Sequence, residues 1–197
     1  MTDEEFGVKF LEFLEGSVGV PFQLVASLEK DDDWTFIIKV FAIVEAGLNH
    51  LLSMEIENKK AAEVVSRLEV ANDRKGKIAL IKAYNLLSNE LVLFVKLLAK
   101  VRSRAVHDVS GFGLNLREHI LQDTQNKEGW KTALTAWCGE PPIAPSIYDT
   151  AFLFPRKAIH NCCMAIIIKC LKAETQQAQL RAHIEEASAR YQPTPKE

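Results

Sequence analysis

The residues with the clearest chemical potential are Arg102 and His107, near the end of a long apolar run. A guanidinium binds phosphate oxygens through a fixed fork of donors, and an imidazole exchanges a proton near neutral pH. Together they suffice for phosphodiester chemistry, because one stabilises charge on the phosphate while the other moves a proton. The sequence therefore makes Arg102 and His107 the candidate catalytic residues.

Basic side chains surround this pair. Lys96, Lys100 and Arg104 add a local excess of positive charge, although the net charge of the whole chain is only −2. We expect these three side chains to bind RNA phosphates. A plainer interpretation also stands, because cations near a helix C-terminus complement its dipole and His107 followed by Asp108 can form a simple cap.

The spacing of the pair limits how it can act. On an ideal helix, Arg102 and His107 lie about 140° apart around the axis and about 7.5 Å apart along it. They therefore do not share one face. Either the helix ends before His107, or both residues flank a cleft whose other wall is a second subunit. Arg104 and His107, three residues apart, are closer neighbours.

Nearly every apolar segment has helical spacing, which predicts an all-α chain. The widest apolar stripes lie at about 34–56 and 90–107, and we expect these two helices to pack together in the core. The predicted fold is an up-and-down helical bundle with a proline-broken excursion, at 139–145, before a long C-terminal helix. Weaker helical patterns cover 4–15, 21–29, 60–68, 77–87, 114–121, 128–137 and 155–191.

Length and composition are typical of one globular domain. The chain has 197 residues, of which 48% are hydrophobic, so a disordered chain is excluded. We expect a single domain over 1–191 and a frayed tail over 192–197. The acidic N-terminus is unlike a signal peptide, and Lys39 and Glu45 interrupt the most apolar run. These features predict a cytoplasmic protein without a membrane span.

Neither a metal nor a cofactor is expected. The four cysteines include no pair with C-x-x-C spacing, which argues against a zinc site and against a disulfide framework. Neither His119 nor His160 has a partner at metal-ligand spacing. Reduced thiols packed in the core are the better interpretation of the cysteines.

Three segments, 39–52, 74–87 and 97–108, resemble successive helices of the HEPN superfamily in order and character. The defining motif of that superfamily is an arginine, four to six residues and then a histidine, and Arg102 and His107 take its positions. The resemblance implies a helical bundle that dimerises. It also implies a metal-independent endoribonuclease of a toxin–antitoxin or defence system, with the motifs of both protomers lining one cleft. Other members of the superfamily are binding or regulatory modules.

The resemblance extends to neighbouring positions. Ser103 stands where active members commonly have asparagine or another polar group, and Glu45 stands where many have an acidic residue on an earlier helix. We expect Ser103, Arg104, Asp108 and Glu45 to support the pair. Val109 occupies the position of a tyrosine that some toxin groups carry.

The same stretch also looks like the mannitol-operon repressor family, whose proteins are helical and have a similar Arg-to-His-Asp helix end. Two functions therefore stay open: an endoribonuclease, or a non-catalytic module such as a transcriptional regulator. The Arg-to-His spacing and the local basic patch favour the first, whereas Ser103 and the near-neutral charge favour the second. Expected partners are a second copy of the chain, RNA, and an antitoxin or other regulatory protein.

Overall fold

The computed structural model describes residues 3–56, 58–107, 113–139 and 142–190. Within these ranges the chain forms α-helices, short 3-10 helices at Thr124–Asn126 and Ala136–Cys138, and no strand, so the predicted all-α class is confirmed. In chain order the α-helices are α1 (Asp3–Gly16), α2 (Phe22–Ser27), α3 (Asp33–Glu55), α4 (Lys59–Ser66), α5 (Lys77–Ala83), α6 (Asn89–His107), α7 (Leu116–Gln122), α8 (Lys127–Leu134), α9 (Pro145–Leu153) and α10 (Pro155–Arg190).

The central helix is α3, which packs against α4, α5, α6 and α10. Asp32 caps its N-terminus, because Oδ1 of Asp32 accepts a hydrogen bond from the backbone N–H of Thr35 at 3.0 Å. Apolar residues occupy a wide arc of the helix, so neighbours must cover it on more than one side. Its buried residues are Phe36, Ile37, Val40, Phe41, Ile43, Val44, Gly47, Leu48, Leu51 and Leu52.

The second core helix is α6, and it packs against α3 and α8. The predicted core helices at 34–56 and 90–107 are confirmed to within one residue at each end. The buried residues of α6 follow helical spacing: Leu91, Val92, Phe94, Val95, Leu97, Leu98, Val101 and Ala105. All of them except Ala105 belong to one continuous hydrophobic core that reaches from α1 to α10.

A close approach joins α3 to α10. A Cβ atom on Gly47 would lie 3.2 Å from Cδ1 of Ile167 and 3.3 Å from Cγ2 of Ile166. The thiol of Cys170 contacts the carbonyl oxygen of Gly47 at 3.4 Å. The small residue on α3 therefore lets the two helices pack more closely than a larger side chain would allow.

The structure differs most from the sequence prediction in three places. α5 ends at Ala83 instead of 87, because Asn85 adopts a left-handed backbone conformation (φ 54°) that turns the chain. α8 ends at Leu134, before the 3-10 helix. The sequence did not predict α9, which begins at Pro145, a position where the missing N–H of proline costs nothing. The proline-rich segment thus precedes a short helix before the long α10.

Length and composition would allow α3 to cross a membrane, and the bent pair of α9 and α10 passes the same test if it is taken as one span. The core helix of a globular bundle has the same length and composition. In this structure half of the apolar window of α3 is buried inside the protein, where the helix packs against α4, α5, α6 and α10.

Candidate functional site

The C-terminal half of α6 carries both motif residues. The helix continues through His107, so it does not end before the histidine, and the two residues lie on different sides of one regular helix. Val101 and Ala105 face the core, whereas Arg102 is half-buried and His107 is exposed. The exposure of His107 shows that its imidazole is not a buried cap.

Arg102 leans toward α3. Its guanidinium carbon lies 5.4 Å from the ring centroid of Phe41, which is a cation–π distance. An exposed contact of this kind contributes about 0.5–1 kcal/mol. Arg102 is therefore held against an aromatic ring at the edge of the core, while the residue as a whole is only half-buried.

The first turn of α3 anchors the elements around the site. The indole N–H of Trp34 donates to the carbonyl oxygen of Ala105 at 2.7 Å, which satisfies one of the last carbonyl groups of α6. The carboxylate of Asp33 accepts from the backbone N–H of Leu116 at 2.7 Å and from Nη1 of Arg156 at 2.9 Å. The start of α3 thus holds the end of α6 and the starts of α7 and α10.

A second face of α6 looks toward α7. Lys100, Arg104 and His107 are spaced four and three residues apart, so they share this face. A cleft of about 480 Å³, here called the α6–α7 cleft, opens beside it and is lined by Lys100, Arg104, His119 and Asp123, with Gln122, Thr124 and Gln125. Of the three basic residues that the sequence predicts to form a patch, Lys100 and Arg104 therefore border this cleft.

His119 is the residue that sequence reasoning missed. Nη1 of Arg104 lies 3.2 Å from Nδ1 of His119, fifteen positions further along the chain. Arginine has no acceptor, so Nδ1 must accept and the ring proton lies on Nε2. Burial and the nearby charge of Arg104 hold the pKa of His119 below its usual value, against the opposing effect of Asp123. No local pattern in the sequence points to this pair.

Asp123 supplies the negative charge of the cleft. Its carboxylate accepts hydrogen bonds from the side-chain amide of Asn126 at 2.9 and 3.1 Å and from the indole N–H of Trp130 at 3.0 Å. These bonds, led by Asn126, lower the pKa of Asp123. The carboxylate is therefore ionised but occupied by donors from its own segment, and it faces the two cationic charges of Lys100 and Arg104.

Lys96 points to a different partner. Its ammonium pairs with Asp73, which also binds Lys82 at 2.8 Å. Lys82 and Lys96 together lower the pKa of Asp73 to about 2. Lys96, predicted to bind RNA, is thus paired with a carboxylate of the same chain, which it shares with Lys82.

Glu45 forms an ion pair with Lys77 at the start of α5. The side chain of Lys77 is fully buried, whereas that of Glu45 is 36% exposed. Among the described residues, Glu45 has no hydrogen bond or ion pair with Arg102 or His107. Glu45 therefore neutralises a buried ammonium and fastens α5 to α3, a structural role.

The remaining expected site residues give a mixed picture. Ser103 is exposed on α6, and Asp108 lies outside the described residues. Within the described ranges, no group of three or more His, Cys, Asp or Glu side chains could hold a metal ion. Burial raises the pKa of the Cys162 and Cys170 thiols to about 12, so neither is an activated nucleophile.

Comparisons of the chain with protein-family models, curated proteins and solved structures give no match. The HEPN resemblance of 39–52, 74–87 and 97–108 therefore stays a prediction from the sequence. What the structure adds is the placement of the motif residues on α6 and the α6–α7 cleft beside Lys100 and Arg104.

The Glu45–Lys77 pair generates a stability prediction. Replacing Glu45 by leucine leaves a fully buried ammonium without its counter-charge, which should lower the free energy of unfolding by about 3–5 kcal/mol. Lys77→Met should cost less than half as much, because the aliphatic stem is kept and the carboxylate of Glu45 reaches water. Urea denaturation of both variants measures the difference. A larger loss for Lys77→Met would contradict the structural role assigned to Glu45.

His119 generates a pH prediction. The charged groups facing it are Lys100 and Arg104 from α6 and Asp123 after α7. Its folded-state pKa is depressed, so the unfolded chain takes up a proton first as pH falls below about 6.5. The contribution of His119 to stability is therefore complete above that pH and is lost as the pH falls through the folded-state pKa.

The measurement is the urea midpoint from about pH 7.5 to about pH 5 for the parent and for His119→Asn. The variant keeps an acceptor for Arg104 and loses the titrating ring, so its stability should decline less over this range. All other residues are the same in the two proteins, so the difference between the two curves reports on position 119. Parallel curves for the two proteins would show that His119 does not have a depressed pKa.

Proposed function

We propose that this chain is a HEPN-like helical protein that cleaves RNA as a homodimer and without a metal ion. The observation that carries the proposal is the polar end of α6. There Arg102 and His107 reach solvent on a regular helix whose opposite face is locked into the core by Val101 and Ala105. The Arg-to-His motif and its resemblance to the HEPN pattern support the same conclusion.

The chemistry needs only groups that this helix presents. The ribose 2′-hydroxyl attacks the adjacent phosphorus, and the bond from phosphorus to the 5′ oxygen of the next nucleotide breaks. His107 takes the hydroxyl proton or gives a proton to the leaving 5′ oxygen. Arg102 stabilises the extra charge on the phosphorane oxygens. The products are a 2′,3′-cyclic phosphate and a 5′-hydroxyl.

A second subunit follows from the geometry of the pair. Arg102 and His107 are about 140° apart on a helix that does not fray between them, so one protomer cannot bring both onto one phosphate from the same face. Two copies of the α6 end, placed around one cleft, supply an arginine and a histidine from different directions. We expect this dimer in the cytoplasm, where an antitoxin or another regulatory protein would bind it.

Cleavage of mixed single-stranded RNA in the presence of a chelator tests the proposal. His107→Ala and Arg102→Ala should each lower the rate on the order of a hundredfold or more. Both variants should keep the circular dichroism of the parent, because both side chains reach the surface. The matched control is Lys60→Ala, an exposed lysine at the start of α4. No cleavage by the parent, or equal cleavage by parent and His107→Ala, would overturn the catalytic proposal.

Mixing the two inactive variants tests the shared cleft. After subunit exchange, a mixed dimer of Arg102→Ala and His107→Ala holds one intact arginine and one intact histidine at the cleft. Part of the activity should therefore return, while each variant alone stays inactive. Light scattering at micromolar concentration should show a dimer for the parent. A monomer, or no recovery on mixing, would mean that the site is not shared between subunits.

A non-catalytic regulatory module, similar to the mannitol-operon repressor family, is the second candidate. The contact of Arg102 with Phe41 favours it, because a guanidinium that packs on a core ring has a role without any substrate. The ion pair of Lys96 with Asp73 favours it as well, because this lysine already has a partner in the chain. For this function, Arg102→Ala loses about 0.5–1 kcal/mol of stability and the parent leaves RNA intact.

A further inference from the structure

The α6–α7 cleft has the charge and the donors of an anion site. Among the described residues, neither Lys100 nor Arg104 has a carboxylate partner, and both line the cleft. Asp123 also lines it, but the donors of Asn126 and Trp130 occupy both of its oxygens. Two cationic charges against one occupied carboxylate leave the cleft with an excess of positive charge.

The hydrogen bond inside the cleft leaves donors free for a ligand. Arg104 uses one of its five N–H donors on Nδ1 of His119, so most of its guanidinium fork is available. The same bond fixes the imidazole with its proton on Nε2, and Nε2–H then has no intramolecular acceptor among the described residues. Three donor groups from α6 and α7 thus face one cavity.

We propose that the α6–α7 cleft is a phosphate-binding subsite in which Arg104, Lys100 and His119 hold an RNA phosphate next to the one at His107. The inference rests on the proposed function, since it deepens the RNA site at the end of α6. His107 shares the face of Lys100 and Arg104 one turn further along the helix, so the subsite and the reacting phosphate lie on the same side of α6. In this arrangement Arg104 positions the strand, while the arginine that stabilises the reacting phosphate is Arg102 of the second subunit.

A phosphate fits these groups better than a peptide carboxylate does. The cleft volume of about 480 Å³ accommodates a nucleotide unit, whereas a single carboxylate would leave most of it empty. The guanidinium of arginine can donate hydrogen bonds to two oxygens of one phosphate, and the ammonium of lysine adds a positive charge beside the same phosphate. The polar side chains of Gln122 and Thr124 border the same space and suit a ribose.

Binding of a short single-stranded RNA, followed by fluorescence anisotropy in the full-length protein, tests the subsite apart from cleavage. We expect Arg104→Ala and Lys100→Ala each to lose about tenfold in affinity. The slope of the logarithm of the binding constant against the logarithm of the salt concentration should become shallower by about 0.7 for each lost phosphate contact. Arg104→Lys keeps the charge without the fork and should bind with intermediate affinity. Lys60→Ala, at the start of α4, should bind RNA with the affinity of the parent.

A second measurement follows the imidazole itself. A bound anion offsets the charge of Arg104, so inorganic phosphate should raise the pKa of His119 in an NMR titration of the parent. The ring resonances of His183, exposed near the end of α10, serve as the internal control and should not respond to phosphate. An unchanged pKa of His119 at saturating phosphate would overturn the subsite.

The outcomes separate the two proposals. If RNA binds through Arg104 and Lys100 but is not cleaved, the proposed subsite is supported and the proposed nuclease activity is overturned. If RNA cleavage needs His107 but Arg104→Ala and Lys100→Ala bind RNA as tightly as Lys60→Ala does, the proposed nuclease activity is supported and the proposed subsite is overturned. No RNA binding by the parent, or equally tight binding of a polyglutamate peptide, overturns the subsite as well.

Discussion

The burial of α3 against α6 and α10 is the constraint on which the rest of the structure depends. Apolar residues cover so wide an arc of α3 that neighbours must shield it on several sides, and the glycine at position 47 lets α10 come close. This packing gathers the ends of other helices around the first turn of α3. Trp34 holds the last turn of α6, and Asp33 holds the starts of α7 and α10. The candidate site is therefore built on a rigid junction of helices and not on a loop.

The same packing divides the polar residues of α6 between two environments. With Val101 and Ala105 turned to the core, Arg102 faces the aromatic edge of α3, while Arg104 faces α7. A helix cannot change this division by side-chain rotation alone, because residues two positions apart are about 200° apart around its axis. The two arginines of α6 therefore have different surroundings: Arg102 packs on the ring of Phe41, and Arg104 lies in the polar α6–α7 cleft.

Charge pairing elsewhere in the chain shapes the local field at the end of α6. Most of the basic residues that approach the core meet carboxylates, as Lys77 does at Glu45 and Arg156 does at Asp33. Lys96 meets Asp73 in the same way. Lys100 and Arg104 have no such carboxylate among the described residues, so the cleft that they line has an excess of positive charge although the whole chain has a net charge of −2.

The sequence by itself determined the two core helices, and it gave the angle between Arg102 and His107 for the case in which both lie on one regular helix, which α6 proves to be. The reason is that helical periodicity reports which side chains are buried, and the geometry of an α-helix is the same in every protein. Only the tertiary structure decided that Arg104 contacts His119 and that Lys96 forms an ion pair with Asp73, which is 23 positions away in the chain. Such pairs depend on how separate helices pack and on turns such as the one at Asn85, which no local hydrophobic pattern encodes.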